Sequence, residues 1–185
     1  MIDRDIELTD GMIVLRPANP DHAARLYVAI RESLVDLRPW MSWACDGHSI
    51  EDTQSWLDMQ PEQWVQDRAY EFVIRDAATG DVLGACGLNN VNRAFRMANL
   101  GYWVRSAVTG RGIATRATRL LAQFAFSRLD LVRVEILAAV GNKASQRVAI
   151  KAGATREGTL RNRSVTGTLV RDAVMHSIVP GDLAT

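Results

Sequence analysis

Gly110-Arg111-Gly112 lies between a strand-like run and a helix-like run, and there the chain can do chemistry. Before it, Leu100-Gly101-Tyr102-Trp103-Val104 has the aromatic and β-branched content of a strand. After it, Ile113, Ala117, Leu120, Leu121, Phe124 and Ala125 recur at helical spacing along one apolar face. Glycines at such a joint let a ligand approach the backbone closely. The first N–H groups of a helix lack intrahelical partners and favour an anion, and successive N–H groups form a nest suited to a diphosphate. The backbone through Thr109, Gly110, Arg111, Gly112, Ile113 and Ala114 is therefore a candidate cradle, with charge from Arg105, Arg111 and Arg116 nearby. No Lys-Ser or Lys-Thr follows the glycines, and no third glycine falls near Thr115, so neither the Walker nor the dinucleotide pattern is met. Local spacing fits a diphosphate cradle and a turn that merely tightens the joint equally well.

A second signature lies downstream. Asn142-Lys143-Ala144-Ser145 opens a short helix that ends at Gly153, and Glu157-Gly158-Thr159-Leu160-Arg161 follows. Taken with Gly101-Tyr102-Trp103 and Gly110-Arg111-Gly112-Ile113-Ala114, these pieces resemble the GNAT acyltransferases, and within them the RimJ/RimL-like N-acetyltransferases. The motifs keep the family's order, with Gly153-Ala154 where the family carries glycine and an aromatic residue. The weaker likeness runs from about Met12 to Pro180.

The resemblance implies acetyl transfer from acetyl-CoA to an amine acceptor, a protein N-terminus or a small amine. It implies a backbone N–H near Val104 to stabilise the thioester oxyanion. It places Asn142 on the pantetheine arm, and Ser145 both on the cofactor and as donor to the leaving thiolate. A simple helix cap at Asn142 and an idle hydroxyl at Ser145 are the competing readings. The family's Gln or Arg three residues before the first glycine is Ala107 here, and Arg105 or Arg111 is expected to compensate. Two carboxylates of the type are also replaced, by Asn99 and Ser164, which leaves Glu71, Glu157 and Asp172 as candidate bases. Glu157 alternatively pairs with an arginine such as Arg161. An α-amine has a pKa of about 8 against about 10.4 for lysine, so an N-terminal acceptor needs only a weak base. Trp40, Glu71 and Asn89 are the candidate acceptor contacts, in the loop 38–48, the strand at Tyr70 and the connection 89–97. For Glu71 a solvated position is the expectation. Trp40 and Trp43 also fit a plug at the core edge. A CoA-sensing protein without turnover, and transfer of a longer acyl group beside Arg161, Arg163 and Arg171, are the other readings.

The 185 residues suit one domain spanning 1–185, and 48% hydrophobic with 23% charged residues are globular values. The net charge of +1 argues against bulk binding of nucleic acid or membrane. Cys45 and Cys86 show no metal spacing and no disulfide framework, and no metal is expected. No apolar run nears membrane-spanning length, and Asp3, Arg4, Asp5 and Glu7 replace any apolar leader, so a cytoplasmic protein is expected. In the resembling family the last strands often mediate a homodimer.

The elements that must position these residues follow from periodicity. Residues 1–10 read as a loose lead-in, Met12–Arg16 as a strand closed by Pro17, and Asp21 as the cap of a helix to Leu37. The inner face of that helix is Ala24, Leu26, Tyr27, Ile30 and Leu34. His48 falls in a solvated loop. Ser49 heads a second helix to about Asp67, kinked or split by Pro61, with Trp56, Leu57, Trp64 and Val65 as its core face. Tyr70–Arg75 and Val82–Leu88 form a hairpin, Asn89–Met97 a polar connection, and Ala98–Val104 and Leu131–Val140 two strands joined by a helix. Short closing strands fall at 155–158, 165–168 and 170–179. The order predicts an α/β (α+β) fold, a mixed, mostly antiparallel sheet flanked by helices whose two helix-joined strands run parallel. The resemblance implies the GNAT fold, in which those strands splay apart at their C-terminal ends and the gap receives the cofactor.

Overall fold

Eight strands form one sheet in the order β1-β2-β3-β4-β5-β6-β8-β7 in the computed structural model, which describes residues 5–183. The strands are β1 (Leu8–Thr9), β2 (Ile13–Pro17), β3 (Tyr70–Asp76), β4 (Val82–Asn92), β5 (Met97–Val104), β6 (Arg133–Ala139), β7 (Thr155–Thr166) and β8 (Leu169–Ile178). The helices are α1 (Ala23–Leu37), α2 (Ile50–Val65), α3 (Ile113–Arg128) and α4 (Lys143–Ala152). Every neighbouring pair is antiparallel except β5 and β6, which a helical crossover joins in parallel, as the sequence predicts.

Each face of the sheet is closed by helices. Phe72, Ile74, Leu88, Leu100, Val134 and Ile136 pack against Leu121, Phe124 and Ala125 of α3 and Ala149 of α4. Val73, Val82 and Ala85 on the other face pack against Leu26, Ile30 and Leu34 of α1 and Leu57 of α2. Among the described residues no helix is long and apolar enough to cross a membrane, and no group of His, Cys, Asp and Glu could hold a metal ion.

Several expected boundaries move. Residues 1–4 lie outside the described residues, but Leu8–Thr9 is a strand held by Leu15 and Val14 of β2 rather than a loose lead-in. Asn19, not Asp21, caps the first helical segment, in a reciprocal box with His22, and a 3-10 turn of Pro20–His22 precedes α1. The turn shifts the inner face of α1, so Ala23 and Ala29 are buried and Ala24 is exposed. α2 runs through Pro61 as one helix under a Ser49–Asp52 capping box, and Val65 turns out to solvent. β4 continues through Asn92 where a polar connection is expected, because Asn89 pairs with Asn99 across the hairpin. β7 is one strand from Thr155 to Thr166, since two bulges let it follow β8 without breaking.

Glu157 of β7 pairs with Arg133 of β6, at 2.6 Å, rather than with Arg161, because the long Arg133 side chain reaches across β8, the strand between them. Ser177 adds a hydrogen bond to the same carboxylate at 2.7 Å. Arg133 holds Glu157 well below the usual range, at about 2. A lowered carboxylate pKa contributes stability that is present above about 4.5 and lost as the pH falls toward about 2. Solvent screens this half-exposed pair to about 1 kcal/mol. Glu157→Gln should therefore lower the melting temperature by about 2–4 °C at pH 7, with the difference vanishing near pH 2, as followed by circular dichroism.

Candidate active site

The β5–β6 ladder is short. Its partners are Met97–Arg133, Ala98–Val134 and Asn99–Glu135, and pairing ends there. The N–H of Arg105 donates to the carbonyl of Leu83 at 2.8 Å, on the β4 side. Strand alternation therefore turns the N–H and C=O of Tyr102 and Val104 away from β4, toward the gap that opens beyond Asn99. An edge of this kind accepts an extended, amide-bearing chain as a further strand would be accepted.

The glycine turn stands at the end of that edge. Gly110 and Gly112 both have φ of +80°, which favours glycine, and a Cβ on either would meet nothing within 4 Å. The first backbone bond of α3 runs from Arg116 N–H to the Gly112 carbonyl at 3.0 Å. The N–H groups of Gly112, Ile113, Ala114 and Thr115 before it have no partner among the described residues, and no side chain caps α3. The positive end of a 16-residue helix is thus left open beside the gap. The side chain of Thr109 is used locally, bonding the Ser106 carbonyl at 2.9 Å.

The arginines divide. The side chain of Arg105 pairs with Glu32 of α1 and reaches the Val82 carbonyl at 3.3 Å, so it braces α1 and is not aimed at the turn. Arg116 pairs with Asp10 at 2.6 Å. Arg111 makes no ion pair among the described residues and remains the free cation of the turn.

Across the gap, α4 presents Asn142 and Ser145. The side-chain oxygen of Asn142 accepts the Ser145 N–H at 3.0 Å, so the residue is a helix cap, and its amide nitrogen has no partner among the described residues. The two readings of Asn142 are compatible, one for each end of its amide. Tyr102 reaches from β5 to the same point. Its hydroxyl lies 2.9 Å from the Ser145 carbonyl and 3.0 Å from Ser145 Oγ. The phenol has one proton, so if it goes to the carbonyl, Ser145 Oγ–H donates to the phenolic oxygen. Burial pushes Tyr102 up to about 12, which keeps it a donor at neutral pH. The motif reading treats Tyr102 as part of a strand signature, and its link to Ser145 is 43 residues long.

A cavity of about 580 Å3 opens on the α1–α2 face of the same strand. Its walls include Met41, Trp43, His48, Glu71, Asn89 and Trp103. Glu71 is not on a solvated side as expected, because α1 and α2 cover this face and turn the carboxyl into the cavity. The carboxyl lies directly over Gly87, where a Cβ would come within 1.9 Å of Oε2. Asn89 donates to it, and Asn99 in turn donates to the Asn89 side-chain oxygen at 3.0 Å. Burial outweighs that bond and pushes Glu71 up to about 7. Gly101 is the cross-strand partner of Gly87, so no side chain stands between the Glu71 carboxyl and the open edge of β5.

Other expected residues fall differently. Trp40 lies outside this cavity; its ring packs where a Cβ of Gly141 would be 3.4 Å away, with the Arg171 guanidinium 5.7 Å over its centroid. Trp43 lines the cavity in its place, 5.9 Å from Trp103 between ring centroids. His48 is buried rather than solvated, and its Nε2 meets the Thr53 hydroxyl at 2.9 Å in the first turn of α2. Asp172 spends one carboxylate oxygen on the Asn162 N–H, at 2.9 Å in a bulge of β7.

Known proteins share this fold. The chain matches the acetyltransferase (GNAT) domain family over residues 12–155. It is 30% identical over 173 residues to YdaF of Bacillus subtilis, provisionally named a ribosomal N-acetyltransferase, covering 90% of this chain and 91% of that one. It is 26% identical over 141 residues to the ribosomal-protein-serine acetyltransferase of Escherichia coli, covering 76% and 78% of the two chains. Among solved structures, Mycobacterium smegmatis RimJ in complex with CoA-disulfide superposes with a TM-score of 0.86 at 26% identity, over 97% of this chain and 88% of that one. With the open strand edge, the uncapped α3 and the family match over most of its length, the chain belongs to the GNAT acetyltransferases.

Proposed function

We propose that the protein moves an acetyl group from acetyl-CoA to a primary amine, the α-amine of a protein N-terminus, by direct attack on the thioester. The observation that carries this reading is the open edge of β5, with donors for an acyl-CoA on the gap side and a carboxyl on the α1–α2 side. The names of the relatives support a ribosomal-protein acceptor and with it a cytoplasmic site of action.

The residues fit the donor. The open N–H groups from Gly112 to Thr115 and the free Arg111 suit a diphosphate. The Tyr102 and Val104 backbone suits the amides of a pantetheine arm, with the Asn142 amide facing it. Acetyl-CoA supplies a thioester whose oxygen gains charge as the amine attacks and whose sulfur leaves as a thiolate. The Val104 N–H stabilises the first charge. The Ser145 hydroxyl donates to the second while the Tyr102 O–H turns from the Ser145 carbonyl to Ser145 Oγ, so that each hydroxyl gives its one proton once. Glu71 takes the proton that the amine releases, since a carboxylate with a pKa of about 7 is matched to an amine of about 8. Asn89 and Asn99 hold that carboxylate in place, so the asparagine where the family's carboxylate stands still serves proton transfer.

Thiol release from acetyl-CoA with free-N-terminus peptides, against the same peptides blocked at the N-terminus, tests the reading; release with blocked lysine peptides alone would overturn the N-terminal acceptor. Activity should rise with pH through about 7 as Glu71 ionises. Glu71→Gln should lower kcat by about 10²- to 10⁴-fold and flatten that limb of the profile. Its fold should not suffer. A raised carboxyl pKa means stability is full below about 4.5 and lost as the pH rises toward about 7, so the variant should melt no lower than the parent at pH 8.

Ser145→Ala should reduce kcat by about tenfold or more with little change in the acceptor KM, as expected for a donor that acts on the leaving group. Gly112→Ala forces a side chain to φ of +80° at the open helix end. It should weaken CoA binding by about tenfold in calorimetry, because strain there costs about 1–2 kcal/mol when the loop must hold its shape.

A further inference from the structure

The cavity beside Glu71 has a mostly apolar lining, broken by Glu71 and Asn89 on the sheet and by His48, Asp52 and Thr53 where α2 begins. Glu71 and Asn89 stand on the sheet floor next to the open edge of β5. Leu26 and Ile30 of α1, Trp56 of α2, and Met41 and Trp43 of the loop between them line the rest of the wall. Trp43 leans on Trp103 at 5.9 Å and on His48 at 5.8 Å between ring centroids, yet keeps 38% of its surface exposed. A large ring held in place by two others and left bare on one side is an aromatic wall. The volume of about 580 Å3 is of the size that encloses a whole small ligand. The side chain of serine or alanine, the residues a small-pocket acetyltransferase would accept, leaves most of it unfilled.

We infer that the acceptor is a primary amine attached to a large apolar group, best an aromatic one, which lies against Trp43 and Trp103 while the amine meets Glu71. This rests on the acetyl-transfer reading and names the acceptor's chemistry. A peptide whose first residue is Phe or Leu and a free arylalkylamine share that chemistry. The carboxyl favours an amine at the floor, and the indoles favour a π-face or a cation beside it.

The test is thiol release from acetyl-CoA by the full chain with peptides that differ only in a first residue of Ser, Ala, Leu or Phe, and with ethylamine and 2-phenylethylamine. Burial of the extra apolar surface should raise kcat/KM for the Phe and Leu peptides by about 10- to 100-fold over Ser and Ala. Trp43→Ala should bring the ratio of Phe to Ser peptide toward one. Equal rates, or a preference for Ser or Ala, would overturn the inference and leave acetyl transfer standing. Turnover of 2-phenylethylamine without any peptide would support the inferred chemistry and identify a free amine as its source. Should no amine be acetylated, the acetyl-transfer reading falls, and quenching of tryptophan fluorescence still decides the cavity. Binding of 2-phenylethylamine at least tenfold tighter than ethylamine would support it, and equal binding would overturn it.

Discussion

Pairing between β5 and β6 stops at Asn99–Glu135, and the rest of the site depends on that stop. Were the ladder continued, the backbone groups of Tyr102 and Val104 would be used up and the sheet would close over the region where α3 and α4 begin. The stop is held open from both sides. β4 grips β5 as far as Val104, through the Gly84 partner and the Arg105–Leu83 bond. β8 grips β6 as far as Ala139. Each strand is satisfied on its outer edge, so the two can diverge without losing their place in the sheet.

Glycines do different work on the two sides of β5. In the turn, Gly110 and Gly112 provide a backbone conformation that exposes N–H groups. On the sheet, Gly87 provides only room, since its conformation is ordinary and the Glu71 carboxyl fills the space a Cβ would take. Gly101 extends the bare floor to the open edge. The carboxyl is thus covered in part by helices, and held near the reacting edge by missing side chains. The same burial that raises its pKa makes its ionised form costly to the fold, which is the usual tension between an active base and a stable protein.

The parts of the site that depend on neighbours in sequence were legible there. Gly110-Arg111-Gly112 before an amphipathic run carries its own geometry, and the alternation of Val134, Ile136 and Ala138 marks β6 without further help. What depends on distant partners was not. Strand alternation puts Glu71 opposite Phe72, which reads as outward until α1 and α2 cover that face. The space it needs belongs to Gly87, on another strand. Arg105 looks like a phosphate contact by position, but Glu32 on α1 claims it. Tyr102 meets Ser145 only once the α3 crossover has brought α4 beside β5. The loop 38–48 has no period at all, so nothing local distinguishes Trp40, which sits under Arg171, from Trp43, which faces the cavity.

The cavity has a floor of sheet and a lip of loop, and the two differ in freedom to change. Floor positions are locked to one another: a side chain at Gly87 displaces Glu71. The lip, from Met41 to Cys45, is pinned to the core through Met41 and Ala44, but Trp43 and Cys45 are exposed. Drift in sequence can therefore remodel the lip while the floor stays fixed. A lineage built on this scaffold can exchange one acceptor for another without inventing its chemistry again.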